Sequence, residues 1–93
     1  MIRSFRDKDA EKIFGRLFVR RLPVDIQRTA LRKLRMLHNA KAIDDLRAPP
    51  ANRLEKLRGT RAGRYSIRIH DQWRICFEWI DNDAHGVEIV DYH

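Results

Sequence analysis

Cysteine is nearly absent from this 93-residue chain: Cys76 stands alone. No internal disulfide can form, so packing must hold the fold together, which suits a reducing cytosol. No apolar run approaches the ~20 residues that a membrane span needs, so no membrane association is expected. The opening Met-Ile-Arg-Ser-Phe-Arg leads into charge rather than an apolar stretch. No secretory signal is therefore read, and a cytoplasmic location is expected. There is no Walker loop and no dinucleotide fingerprint. His38, His70, His85 and His93 are scattered without the spacing of a metal site, so neither a metal nor a cofactor is expected. Low-complexity tracts, repeats and linkers are also missing. With 43% hydrophobic residues, the chain reads as one small domain over 1–93, since so short a chain rarely supports two cores.

Basic charge is present in excess. Lys plus Arg number 20 against 13 Asp plus Glu, for a net charge of +7. Between residues 53 and 74 lie Arg53, Lys56, Arg58, Arg61, Arg64, Arg68 and Arg74, opposed only by Glu55 and Asp71. The last thirteen residues carry four acids and no Lys or Arg. A concentrated basic stripe points to a polyanion, with nucleic acid ahead of an acidic protein surface. Arg heavily outnumbers Lys, and its planar fork matches phosphate oxygens in pairs.

Period-two alternation fixes the middle of the chain. Tyr65, Ile67 and Ile69, then Trp73, Ile75 and Phe77, fall at every second place. This predicts a hairpin turning at His70-Asp71-Gln72, with Arg64, Ser66, Arg68 and Arg74 on the opposite face. Before it, Asp7 or Asp9 caps a helix with Ala10, Ile13, Phe14 and Leu17 on one side, weakened by Gly15. Pro23 opens a second helix, with Ile26, Ala30, Leu31, Leu34 and Leu37 inward and Arg28, Arg32 and Arg35 facing solvent. A further turn over Ala42–Leu46 stops at Pro49-Pro50. A short strand is expected over Arg53–Leu57, a loop over Arg58–Gly63, a turn at Asp81-Asn82-Asp83 and a last strand over Gly86–Tyr92. Ile2–Phe5 reads as an edge strand. Helices first and a meander after make an α+β fold: N-terminal helices packed on one face of a small antiparallel sheet, mixed with the N-terminal strand. Trp73, Ile75, Phe77 and Trp79 are expected in the core, and Cys76 as a small buried filler.

The chemistry, if any, lies at the two ends of this meander. Glu55 and His93 form a candidate acid–base pair, with arginine of the sheet between them. One group takes the proton of a ribose 2′-OH and the other protonates the leaving 5′-oxygen, while guanidinium offsets charge on phosphorus. Tyr92 can stack a base. Taken alone, the same residues fit ordinary surface roles better: Glu55 paired with Arg58 or Lys56, and Tyr92 as a half-buried strand aromatic.

Four segments change that balance: Asn52-Arg-Leu-Glu-Lys-Leu-Arg-Gly59, Gly63-Arg-Tyr-Ser-Ile67, Trp73-Arg-Ile-Cys-Phe77 and Val87-Glu-Ile-Val-Asp-Tyr-His93. With the Met-Ile-Arg-Ser-Phe opening, they make the chain resemble HigB-type toxins of type II toxin–antitoxin systems, in the RelE/ParE superfamily. The resemblance implies a RelE-like sheet with helices on one face. It implies ribosome-dependent, metal-independent cleavage of mRNA. It also implies a HigA-like antitoxin with a helix-turn-helix domain, through which the complex reaches operator DNA. Carried onto this chain, it marks Arg74 as the phosphate-binding arginine, Arg58 as the basic residue before the glycine, and Asp91, Tyr92 and His93 as the functional C-terminal triplet. Several relatives have His where this chain has Glu55; a Glu base with a His acid resembles the YoeB toxins, and the alternative is that His93 or Asp91 works with Arg58 while Glu55 is a spacer. Lys56, Arg61, Arg64 and Arg68 are expected to hold the RNA backbone. The alternative within the superfamily is a ParE-like inhibitor of DNA gyrase that cuts nothing.

Overall fold

The alternating residues form the hairpin they predict. β2 (Arg64–Arg68) and β3 (Trp73–Ile80) pair antiparallel, with Ser66 opposite Cys76 and Ile67 opposite Ile75. β1 (Glu55–Lys56) flanks β2 and β4 (Asp83–Asp91) flanks β3, giving the order β1-β2-β3-β4. The computed structural model describes residues 1–59 and 63–92. Directly opposed residues share a face of a sheet, so the register sorts the side chains into two sets. Ile67, Ile75, Phe77, Val87 and Ile89 are buried on one side. Glu55, Ser66, Cys76 and Glu88 line up across the other.

Two helices cover the apolar side. α1 (Lys8–Phe14) contributes Ala10 and Ile13, and α2 (Val24–Asn39) contributes Ile26, Ala30, Leu34 and Leu37, all buried. Fully burying side chains such as Phe77, Leu34 and Leu37 stabilises the fold by about 1.5–3 kcal/mol each. Asp7 caps α1 by accepting from the Asp9 N–H. Its other carboxylate oxygen accepts from Arg21 at 2.7 Å and from the Ile89 N–H at 3.1 Å, which ties the helix to β4. Ile2 and Phe5 bridge to Ala84 and Val87 in parallel, so the otherwise antiparallel sheet is mixed at that edge, as expected. Among the described residues, no helix is long and apolar enough to cross a membrane.

Three local expectations are corrected. α1 stops at Phe14, and Arg16 turns the chain at φ 66°, so Leu17 faces solvent instead of the core. Arg53 is no strand residue: it sits at φ 44° and closes a 3₁₀ turn over Pro50–Asn52 by donating its N–H to Pro50. β1 therefore shrinks to two residues. The last strand starts at Asp83 rather than Gly86, because Asp81 and Asn82 alone make the turn with φ 52° and 64°. Positive φ at both central residues gives the tight hairpin turn whose twist matches the strands.

The N-terminal edge carries an acid-sensitive clamp. Asp83 accepts from Arg3 Nε at 3.0 Å and lies 3.1 Å from the Met1 amino group. The Arg3 bond, then the amino group, hold its carboxyl below the usual 3.8. A carboxylate whose folded pKa is depressed adds stability above its unfolded value and loses it as pH falls through the folded pKa. Unfolding free energies of Asp83→Asn and the parent should therefore differ above about pH 4 and converge in stronger acid. Parallel curves down to acid would remove the clamp.

Candidate active site

Arg74 is the fixed centre of the polar face. It is only 8% exposed, and its guanidinium is bonded on two sides. Nε donates to Ser66 Oγ at 2.9 Å, and Nη2 donates to the Arg53 carbonyl at 2.6 Å and the Ser66 carbonyl at 3.3 Å. Nη1 is left to face Glu55 Oε1, 3.9 Å away. The arrangement follows from local structure. The β2–β3 register sets Ser66 diagonally beside Arg74, and the left-handed turn at Arg53 aims its carbonyl at the guanidinium. β1 then places Glu55 opposite Ser66, above the same group.

Glu55 opens onto a groove of about 630 Å³ lined by Glu55, Lys56, Leu57, Arg58, Gly59 and Gly63. Glu55, Lys56 and Arg58 are exposed there. A carboxylate over a buried guanidinium, with two exposed cations beside it, can accept a proton from a hydroxyl while the cations hold the anion to which that hydroxyl is attached. Such fixed donors gain in effect because they need no reorganisation when charge develops.

The C-terminal end of β4 divides: Asp91 stands opposite Trp73 on the apolar side of the sheet, and Tyr92 reaches the polar face. Gln72 donates to Asp91 Oδ1 at 3.1 Å and accepts from the Tyr92 N–H. The Tyr92 hydroxyl lies 3.7 Å from Cys76 Sγ, on the strand that carries Arg74. His93 and Arg61 lie outside the described residues. Among those described, no cluster of three or more His, Cys, Asp or Glu side chains has the arrangement of a metal site.

The other basic residues divide. Arg68 pairs with Asp71 in the hairpin turn and is half-buried. Arg64, expected to hold RNA, is buried instead. Its Nη2 meets Glu88 at 2.9 Å and the Gly86 carbonyl at 3.1 Å, and its Nη1 meets Glu78 at 3.4 Å. These bonds cross-link β2, β3 and β4. Alternation correctly put Arg64 on the polar face, but it carries no information about cross-strand carboxylates.

Two further residues support the site. Asn52 is fully buried and accepts from Lys33 Nζ, while donating to the carbonyls of Leu46 at 3.1 Å and Ala48 at 3.4 Å. It fixes the segment that delivers the Arg53 carbonyl to Arg74. Burial holds the Lys33 ammonium below its usual pKa, and Arg32 and Arg68 push the same way. An Asn beside two prolines reads as turn chemistry, and a lysine in an amphipathic helix reads as surface. Neither signals a buried pair. The one cue is that Asn52 begins one of the four segments that carry the family resemblance.

The profile of a family described as "RelE-like toxin of type II toxin-antitoxin system HigB" matches residues 3–93. The chain is 41% identical over 85 residues to Toxin HigB-1 of Vibrio cholerae serotype O1, covering 90% of each chain. It is 33% identical over 94 residues to Endoribonuclease HigB of Proteus vulgaris, covering the whole of both.

Proposed function

Because the chain belongs to the HigB-like toxin family of type II toxin–antitoxin systems, we propose that it is an endoribonuclease that cuts mRNA on the ribosome and is neutralised by an antitoxin. One observation carries this reading: Glu55 stands 3.9 Å from the buried Arg74 guanidinium at the edge of a basic groove. A relative covering the whole chain bears the name endoribonuclease, which supports the same activity.

In the proposed reaction, Glu55 takes the proton of a ribose 2′-OH. The freed oxygen attacks the adjacent phosphorus and the bond to the 5′-oxygen breaks. His93 gives that oxygen a proton, leaving a 2′,3′-cyclic phosphate on one fragment and a 5′-hydroxyl on the other. Arg74 Nη1 and Arg58 offset the added charge on the phosphoryl oxygens. Lys56, Arg61 and Arg68 contact the RNA backbone, Arg68 after leaving Asp71. Tyr92 stacks a base beside the cut, and Asp91 orients the C-terminal end through Gln72. Arg64, bonded to Glu78 and Glu88, serves the sheet. No metal or cofactor takes part. The antitoxin is HigA-like with a helix-turn-helix domain, operator DNA is reached only through the complex, and the setting is cytoplasmic.

Primer extension on transcripts after induction tests the reading. The parent should produce discrete cuts in translated messages and far fewer in untranslated ones. Glu55→Gln and His93→Ala should each reduce cutting by about 10²–10⁴-fold, the usual contribution of a general acid or base, with antitoxin binding unchanged. Growth arrest with an SOS response and no cuts would instead identify a ParE-like gyrase inhibitor.

A further inference from the structure

The helical layer carries a second surface unrelated to the cutting groove. Among the described residues, five large apolar side chains are exposed, and three of them adjoin one another: Leu17 at 60%, Phe18 at 66% and Val24 at 55%. With Ile13, Leu31 and Gln27 they line a shallow cleft of about 310 Å³ where the end of α1 meets the start of α2, rimmed by Arg16 and Arg28.

This cleft is built, although its side chains face water. Buried Gln27 accepts from the Val19 N–H at 3.0 Å and donates to the carbonyls of Val19 at 2.7 Å and Leu22 at 2.8 Å. The Leu17 N–H bonds back to Lys12 at 2.8 Å. The segment presenting Leu17 and Phe18 is thus pinned on both sides, and Val19 and Leu22 anchor it in the core. Holding apolar side chains in water costs free energy that a free monomer gains nothing from, and a grouped patch with a polar rim marks a contact surface. Ordering the surface beforehand lowers the entropy cost of binding. The rim selects the partner's charge. Arg16 and Arg28 border the cleft and Arg20, Arg32 and Arg35 are exposed on the same layer, outnumbering its exposed acids Glu11 on α1 and Asp25 on the first turn of α2.

We propose that this cleft is where the antitoxin docks, by laying in an amphipathic helix with apolar residues at i, i+3 and i+4 and acidic residues on its flanks. The proposal rests on the family reading that an antitoxin exists. It places the contact on the helical layer, whereas Glu55, Ser66 and Arg74 occupy the opposite face of the sheet.

Calorimetric titration of the purified toxin with its cognate antitoxin tests this. Leu17→Glu/Phe18→Glu should weaken binding by at least about 100-fold, as loss of a central apolar anchor does. Arg28→Glu should weaken it by roughly tenfold, more at low salt. Ile80→Glu, at an exposed apolar residue elsewhere, should leave it unchanged. In cells the double variant should cut transcripts normally and arrest growth even with antitoxin present. Binding of the double variant within threefold of the parent would overturn the docking site. So would a free toxin that elutes as a dimer which the double variant splits, since a second copy would then fill the cleft. If the parent neither binds antitoxin nor arrests growth, the family reading itself fails.

Discussion

Arg74→Lys is expected to abolish transcript cleavage while leaving the protein folded. The guanidinium makes three bonds to Ser66 and Arg53 through Nε and Nη2 and keeps its third nitrogen, Nη1, toward Glu55. Lysine keeps the buried positive charge but has a single nitrogen and no plane. It can satisfy Ser66 or face Glu55, and cannot fix both. Loss of one prepositioned donor to a developing oxyanion costs on the order of 10²–10³ in rate, and a displaced Glu55 would add to that. Arg74→Ala is the poorer probe, since it strips the Arg53 and Ser66 carbonyls of a buried donor and so also costs stability. Primer extension with a thermal melt on the same preparation checks the outcome. A Lys variant that cuts within tenfold of the parent would reduce Arg74 to a structural role beneath β1.

Asn52→Ala is expected to have the largest effect on stability. The Asn side chain is fully buried, with one acceptor for Lys33 and donors for Leu46 and Ala48. Alanine leaves two carbonyls and an ammonium without partners. Each unpartnered buried group costs about 1–3 kcal/mol, so a loss of about 3 kcal/mol is a conservative sum. For a domain of this size that lowers Tm by roughly 15 °C. Cleavage measured well below that Tm should also fall, because the Arg53 carbonyl would no longer be held against Arg74. A Tm within about 3 °C of the parent, which corresponds to well under 1 kcal/mol, would show that water replaces the amide at no cost.

The predicted elements fared unequally, and for identifiable reasons. The hairpin from Arg64 to Ile80, the inward stripe of α2, the solvent-facing Arg28, Arg32 and Arg35 and the α+β order were all legible, because each depends on residue periodicity within one element. The end of α1, the break at Arg53 and the early start of β4 were not. Each is decided by a residue with positive φ, namely Arg16, Arg53 and Asp81 with Asn82. Arg carries no signature for that conformation, unlike Gly or Asn.

The site divides along the same line. Residue types alone made Glu55 and His93 an acid–base candidate that surface roles fitted better, and only the family resemblance singled out Arg58 and Arg74. Which arginines face the groove was a matter of tertiary contact. Arg64 and Arg74 share a face and a period, yet one is bonded to Glu78 and Glu88 and the other lies under Glu55. Sequence alone determined the two layers and the polar face, since burial follows local pattern. Only the folded chain decided which cations are spent on the sheet and where the apolar cleft opens, since those outcomes depend on distant partners, such as Arg64 and Glu88 24 residues apart, that no local pattern brings together.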